Sequence, residues 1–204
     1  MKKSTIITSS ILAVVIGAAG VSAAVITSTP PAPLASTQAP QALTEADEVQ
    51  AVEEGTVVAP ASTTEDLLLY LIEEEKLAHD VYTVLGETWG GNTFSNILGS
   101  ETSHQDQVLN LLNSYGLTDP RSSEIGVFVN PDLQALYDQL IAQGMTSQAE
   151  AYKVGVLIEE TDITDLTTAI NSTSDATIVA TLEKLRSASE SHLAAFSKKL
   201  SLFS

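Results

Sequence analysis

Apolar residues recur at alternating spacings of three and four from residue 63 onward, which is typical of helices that each bury one face. Paired glycines, prolines and capping residues interrupt this pattern and mark the ends of five helices. The predicted helices span residues 63–88, 93–114, 131–143, 147–170 and 176–200. The helix at 131–143 is short and follows an extended-looking stretch at 125–129. The pattern therefore predicts an all-α four-helix bundle with a long crossover between helices 2 and 3 that contains a short extra helix.

Each of the four long helices has an apolar stripe that polar residues interrupt near its middle. The interrupting residues are Glu75, Glu101, His104, Glu159, Ser189 and His192. On the helix at 147–170 the predicted stripe consists of Val156, Glu159, Ile163, Leu166 and Ile170. A neighbouring stripe on the first helix, through Glu74, is almost as apolar, so Glu74 remains an alternative to Glu75. Because mid-helix positions of a bundle converge on one core layer, we expect the interrupting groups to meet there.

Carboxylates and imidazoles that converge in a core are candidate metal ligands. A buried carboxylate is costly unless it finds a proton, a partner or a metal. Glu101 and His104 are three residues apart, so both side chains lie on one helix face and reach the same ion. The chain has no cysteine, which excludes thiolate sites and leaves oxygen and nitrogen ligands suited to iron, manganese or zinc. The alternative is a metal-free structural or binding module in which these groups pair with one another.

The N-terminal part of the chain differs in composition from the helical region. Two lysines, a short apolar stretch and small residues ending at Ala23 predict a signal peptide at residues 1–23. Apolar residues continue past Ala23, so an uncleaved membrane anchor is the alternative. Residues 24–62 are rich in Pro, Ala and Thr with scattered acids, and predict a disordered tether. We therefore expect the domain at 63–204 to be secreted, periplasmic or attached to the cell envelope.

The net charge of the chain indicates which kinds of partner it can bind. The formal net charge is −17, from 9 basic and 26 acidic residues. A nucleic-acid partner needs a basic face, which this composition does not supply. An acidic surface attracts cations instead. Metal ions are the expected partners, with membrane contact only through the N-terminal segment if it is not cleaved.

Four short strings resemble the DUF2202 family, a ferritin-like domain family, over about residues 65–200. The strings are Glu73-Glu74-Glu75-Lys76-Leu77-Ala78, Ser100-Glu101-x-x-His104, Ile158-Glu159-Glu160-x-Asp162-Ile163 and Ser189-x-x-His192-Leu193-x-x-Phe196. The resemblance implies a carboxylate-bridged dimetal site, most often di-iron, that relatives use for iron oxidation, peroxide reduction or oxygen activation. It thus implies an oxidoreductase of ferroxidase or peroxidase type with O₂ or peroxide as a partner, and a homodimer is one assembly we consider.

Residue roles follow from the same resemblance. Glu75 and Glu159 would be terminal or bridging ligands, and Glu101 would bridge or terminate. His104 and His192 would each bind one ion, and Tyr82 would lie behind the ligands in contact with one of them.

One position departs from the di-iron pattern. Ser189 stands where the fourth helix of di-iron proteins carries a glutamate, and Glu190 is rotated roughly a quarter-turn away. Asp162, one turn after Glu159, is the candidate replacement ligand. If nothing replaces the missing ligand, the second metal position is incomplete. His79 is an alternative outer ligand, although a surface position or one behind the ligands suits it better.

Overall fold

The computed structural model describes residues 63–203, and all of its regular structure is helical. The signal peptide at 1–23 and the tether at 24–62 lie outside the described residues. The helices are α1 (Thr64–Trp89), α2 (Asn92–Ser114), α3 (Pro131–Gly144), α4 (Gln148–Ser172) and α5 (Ala176–Leu200), followed by a 3₁₀ turn at Ser201–Phe203. Each helix lies within a few residues of its predicted bounds. None of the helices in 63–203 is long and apolar enough to cross a membrane.

Capping residues explain where the helices begin. Thr63 and Asp66 form a reciprocal capping box at the start of α1, with the Asp66 N–H donating to Thr63 Oγ1 at 3.0 Å. Ser147 and Asp175 accept hydrogen bonds from the first-turn N–H groups of α4 and α5. Between α1 and α2 the two turn glycines have φ angles of 68° and 90°, a conformation that side-chain-bearing residues rarely adopt.

The four long helices contact one another in a ring and form an α-helical bundle. Helix α1 packs on α2, α2 on α5, α5 on α4, and α4 on α1, while α3 lies against α1 and α4. The core contains two apolar clusters, one around Tyr82, Phe94 and Phe196 and the other around Leu68 and Leu182. On every long helix, the predicted polar interruptions fall between the segment that enters one cluster and the segment that enters the other. A polar layer therefore divides the apolar core.

The buried face of α4 differs from the predicted stripe. Val156, Ile163 and Ile170 are only partly buried, whereas Ile158 and Asp162 are buried together with Glu159. The difference is greatest next to Gly155, which has no side chain and lets the Phe196 ring approach the helix closely. An added Cβ at Gly155 would lie 2.5 Å from Phe196 Cδ1, so this helix–helix contact requires glycine.

Three charged residues of α1 are buried under the crossover, namely Glu73, Lys76 and Asp80. The backbone N–H groups of Val129 and Asn130 donate to the Glu73 carboxylate at 2.7 and 2.9 Å. Lys76 pairs with Asp80 and donates to a crossover carbonyl at 2.9 Å, and a crossover N–H donates to Asp80 at 2.9 Å. The stretch at 125–129, predicted to be extended, is irregular backbone that these contacts hold against α1.

Candidate metal centre

The polar layer brings together acidic and imidazole side chains from all four long helices. The buried residues Glu75, Glu101, His104, Glu159 and His192 are each 2–8% exposed. Their oxygen and nitrogen atoms form two groups of three, in each of which the candidate ligand atoms lie within 4.8 Å of one another. Glu101 belongs to both groups. The geometry thus offers two adjacent cation positions that share one carboxylate.

The first group consists of Glu75 on α1 with Glu101 and His104 on α2. The Nδ1 atom of His104 lies 3.1 Å from Glu75 Oε2 and 3.3 Å from Glu101 Oε2. On the other edge of the ring, Ser100 Oγ lies 3.2 Å from Nε2 of His104. Because one imidazole nitrogen contacts a hydroxyl, the other is directed at the two carboxylates.

The second group consists of Glu101, Glu159 on α4 and His192 on α5. The Nδ1 atom of His192 lies 3.0 Å from Glu101 Oε1 and 3.6 Å from Glu159 Oε1. The Tyr82 hydroxyl donates to Glu159 Oε1 at 2.6 Å, so it fixes the orientation of that carboxylate. The two imidazole rings stack at a centroid distance of 5.6 Å, and the Nδ1 atom of each ring approaches a different oxygen of Glu101.

Several buried polar atoms in this layer make no hydrogen bond within residues 63–203. They are Glu75 Oε1, Glu101 Oε1, Asp162 Oδ1 and His192 Nδ1. Glu101 Oε1 and His192 Nδ1 are 3.0 Å apart, but their relative orientation is not that of a hydrogen bond. Buried polar atoms normally have partners, so a concentration of unsatisfied carboxylate and imidazole atoms fits the donor set of a metal ion.

Burial and close charges shift the pKa values of these groups strongly. Burial raises the pKa of Glu75 to about 7 despite the opposing effect of His104, and burial is also the main cause of the raised pKa of Glu159. Burial opposes the ionisation of Glu101, yet the two histidines outweigh it and lower the pKa of this group. The carboxylates in turn overcome burial and raise the pKa of His104 to about 10 and that of His192 to about 9. The layer is therefore an environment that stabilises positive charge.

Asp162 reaches the polar layer but belongs to neither group of three. Ser189, which is 1% exposed, donates a hydrogen bond from its hydroxyl to Asp162 Oδ2. The serine that stands in place of the di-iron glutamate therefore binds the carboxylate that the sequence offered as a replacement ligand. Burial and the nearby glutamates raise the pKa of Asp162 well above its usual value. Glu190 is exposed, 3.9 Å from an arginine, and points away from the layer.

The two alternative candidates on α1 also lie outside the groups of three. His79 is half-buried, with Nδ1 3.3 Å from Asp80 Oδ1 on the crossover side of the helix. Glu74 is partly buried and lies between the polar layer and the surface. Ser100 belongs to a string that carries the family resemblance, but the sequence alone assigns it no role, although its position four residues before His104 places it on the same helix face.

Comparison with known proteins identifies the family. Residues 64–202 match the family described as "Uncharacterized protein domain (DUF2202)". The uncharacterized protein MJ0754 of Methanocaldococcus jannaschii is 42% identical over 134 residues, which make up 65% of this chain and 72% of that protein. The crystal structure of hypothetical protein MJ0754 from Methanococcus jannaschii DSM 2661 superposes with a TM-score of 0.67 at 41% identity, covering 68% of this chain and 80% of that chain. The chain belongs to the DUF2202 family, as the sequence strings predicted.

Proposed function

We propose that the bundle is a ferritin-like protein that binds two transition-metal ions, most readily iron, at the two groups of three ligands. The observation that carries this proposal is the shared Glu101 carboxylate between two histidines, with four buried polar atoms that lack a hydrogen bond within residues 63–203. Carboxylates and imidazoles suit iron, manganese and zinc. The acidic chain favours the approach of such cations.

The proposed activity is oxidation of iron(II) or reduction of peroxide. Bound iron would supply the electrons for O₂ or peroxide, and three protein ligands for each ion leave coordination positions open to such a substrate. The protein's own groups bind and orient: Ser100 directs His104, and Tyr82 holds Glu159. The two apolar clusters exclude bulk water from either side of the polar layer.

Because the sequence predicts a signal peptide and a tether, we also propose that this chemistry takes place outside the cytoplasmic membrane, in a secreted or envelope-tethered domain.

The competing function is a metal-free helical module displayed at the cell envelope. The close approach of His104 to Glu75, at 3.1 Å, favours it because the polar groups then compensate one another. The unsatisfied atoms of Glu101 and Asp162 count against it.

Elemental analysis of protein without a histidine tag tests the proposal. After loading with iron(II) or manganese(II) and removal of free metal, we expect stoichiometric metal that a Glu101→Ala/His104→Ala variant loses. A metal content below about a tenth of an ion per chain after loading would contradict the metal-binding proposal. The metal-free module predicts in addition that a chelator leaves the melting temperature unchanged, whereas a metal bound to the native state raises it.

A further inference from the structure

Two neighbouring cavities lie beside α1 and α4 and have one lining residue in common. The outer cavity, about 430 Å³ in volume, is bounded by α1, α4 and the crossover. The inner cavity, about 30 Å³, reaches Glu75, Glu101 and Glu159 of the polar layer, and is large enough for a water-sized occupant. Glu74 lines both cavities. Glu74 therefore lies between the outer cavity and the cavity that reaches the candidate metal centre.

Carboxylates follow one another along this path. Asp165 lines the outer cavity, and burial together with the nearby Asp162 and Asp165 carboxyls raises the pKa of Glu74 well above its usual value. Asp162, one helical turn before Asp165 on α4, lines the inner cavity beside Glu74 and Glu75. Asp162 is 8% exposed, and its Oδ1 atom makes no hydrogen bond within residues 63–203. The path thus ends at a buried oxygen atom that can accept a cation.

We propose that Asp165, Glu74 and Asp162 form a route that passes divalent metal ions from the outer cavity to the dimetal centre. The proposal rests on the proposed function, because the route has a destination only if the centre binds metal. These three residues are not a third binding site, since they do not form a ligand group within residues 63–203. They act in succession, each carboxylate replacing part of the hydration that a cation loses on the way in.

Most residues that line the outer cavity are apolar, but all of its charged lining residues are acids, which favours a cation as the charged species that enters it. Its lining residues include the acids Asp66, Glu73, Glu74 and Asp165 and no lysine or arginine. Acid-lined clefts raise the local concentration of cations and their rate of association by about 10- to 1,000-fold. O₂ and peroxide carry no charge and gain nothing from successive carboxylates, so the acidic lining matches a metal ion.

The test is the rate at which cobalt(II) enters the intact, previously chelated protein, followed by stopped-flow visible absorption. The test variant is Glu74→Gln/Asp165→Asn. The matched control is Glu183→Gln/Asp106→Asn, which removes the same two charges from exposed positions that line neither cavity. A second variant, Thr168→Lys, places a positive charge on the wall of the outer cavity and leaves every carboxylate in place.

We expect uptake at least about tenfold slower in the test variant and in Thr168→Lys than in the control, with the same final absorption change in all proteins. Equal rates in test and control variants, with full final uptake, overturn the route and leave the proposed metal centre standing. A loss of final uptake in the test variant makes Glu74 or Asp165 part of the centre and also overturns the route. If the unmodified protein takes up no cobalt(II), the proposed function itself fails.

Discussion

Replacing Glu101 by glutamine should remove both metal positions at once. Its carboxylate is the element common to the two groups, with Oε2 3.3 Å from His104 Nδ1 and Oε1 3.0 Å from His192 Nδ1. The amide of Glu101→Gln has no charge and only one acceptor oxygen, so each group keeps a single carboxylate and a single histidine. Glu75→Gln and Glu159→Gln each alter one group only. They should therefore each retain about one ion per chain.

The size of the effect can be worked out for thermal unfolding. An ion present at 100 times its dissociation constant stabilises the native state by about 2.7 kcal/mol, and two independent ions by about 5 kcal/mol. In a domain of about 150 residues, 1 kcal/mol moves the melting temperature by about 2–4 °C. Saturating metal should thus raise the melting temperature of the unmodified protein by roughly 10–20 °C. The rise should be about half as large in Glu75→Gln and nearly absent in Glu101→Gln.

Calorimetry with and without a chelator measures these rises, and each variant is compared with its own chelated form so that direct effects on folding cancel. Glu160→Gln is the matched control, because Glu160 is exposed and adjacent to a proposed ligand yet belongs to neither group. A full metal-dependent rise in Glu101→Gln would refute the shared carboxylate. A rise in Glu75→Gln as small as in Glu101→Gln would show that the two positions are not separable.

Three further predictions concern the fold. Gly155→Ala should lower the free energy of unfolding in urea by about 1–3 kcal/mol, because the added Cβ would lie 2.5 Å from Phe196. Gly99→Ala is the matched control: an added Cβ there meets nothing within 4 Å, so this substitution should raise the free energy of unfolding by up to about 1 kcal/mol. Burial opposes ionisation of Asp80, but hydrogen bonds from its neighbours outweigh burial and hold the pKa of Asp80 below its usual value. The ionised carboxylate should therefore contribute its full stabilisation above about pH 4 and lose it as the pH falls through the lower folded pKa. The difference in the free energy of unfolding between the unmodified protein and Asp80→Asn should accordingly shrink in acid. Glu73→Gln leaves one crossover N–H without its acceptor, so hydrogen exchange at amides 129 and 130 should accelerate by roughly tenfold, and unchanged exchange would contradict this role.

The convergence of polar groups could be predicted from the sequence because a helix has a fixed period. A stripe that is apolar on both sides of Glu101 leaves little choice about which way the middle of α2 points. On α1 two neighbouring stripes are almost equally apolar, and only the structure separates Glu75, which belongs to a group of three, from Glu74, which does not. Periodicity also separates Glu159 from Glu160, which are buried and exposed respectively. It does not give the exact rotation of a helix. On α4, Gly155 allows the close approach of Phe196, and the buried face shifts toward Ile158 and Asp162.

Periodicity fails more seriously where a loop covers a helix. Glu73, Lys76 and Asp80 lie outside the two apolar stripes considered on α1, yet all three are buried under the crossover. An apolar stripe marks contact with another helix, which buries side chains against side chains. An irregular segment instead presents unpaired backbone N–H and C=O groups, and these need charged or polar partners. A helix face that a loop covers has the same polar sequence pattern as a face exposed to solvent. Where a long crossover lies next to a helix, the charged residues of that helix should therefore be tested for burial.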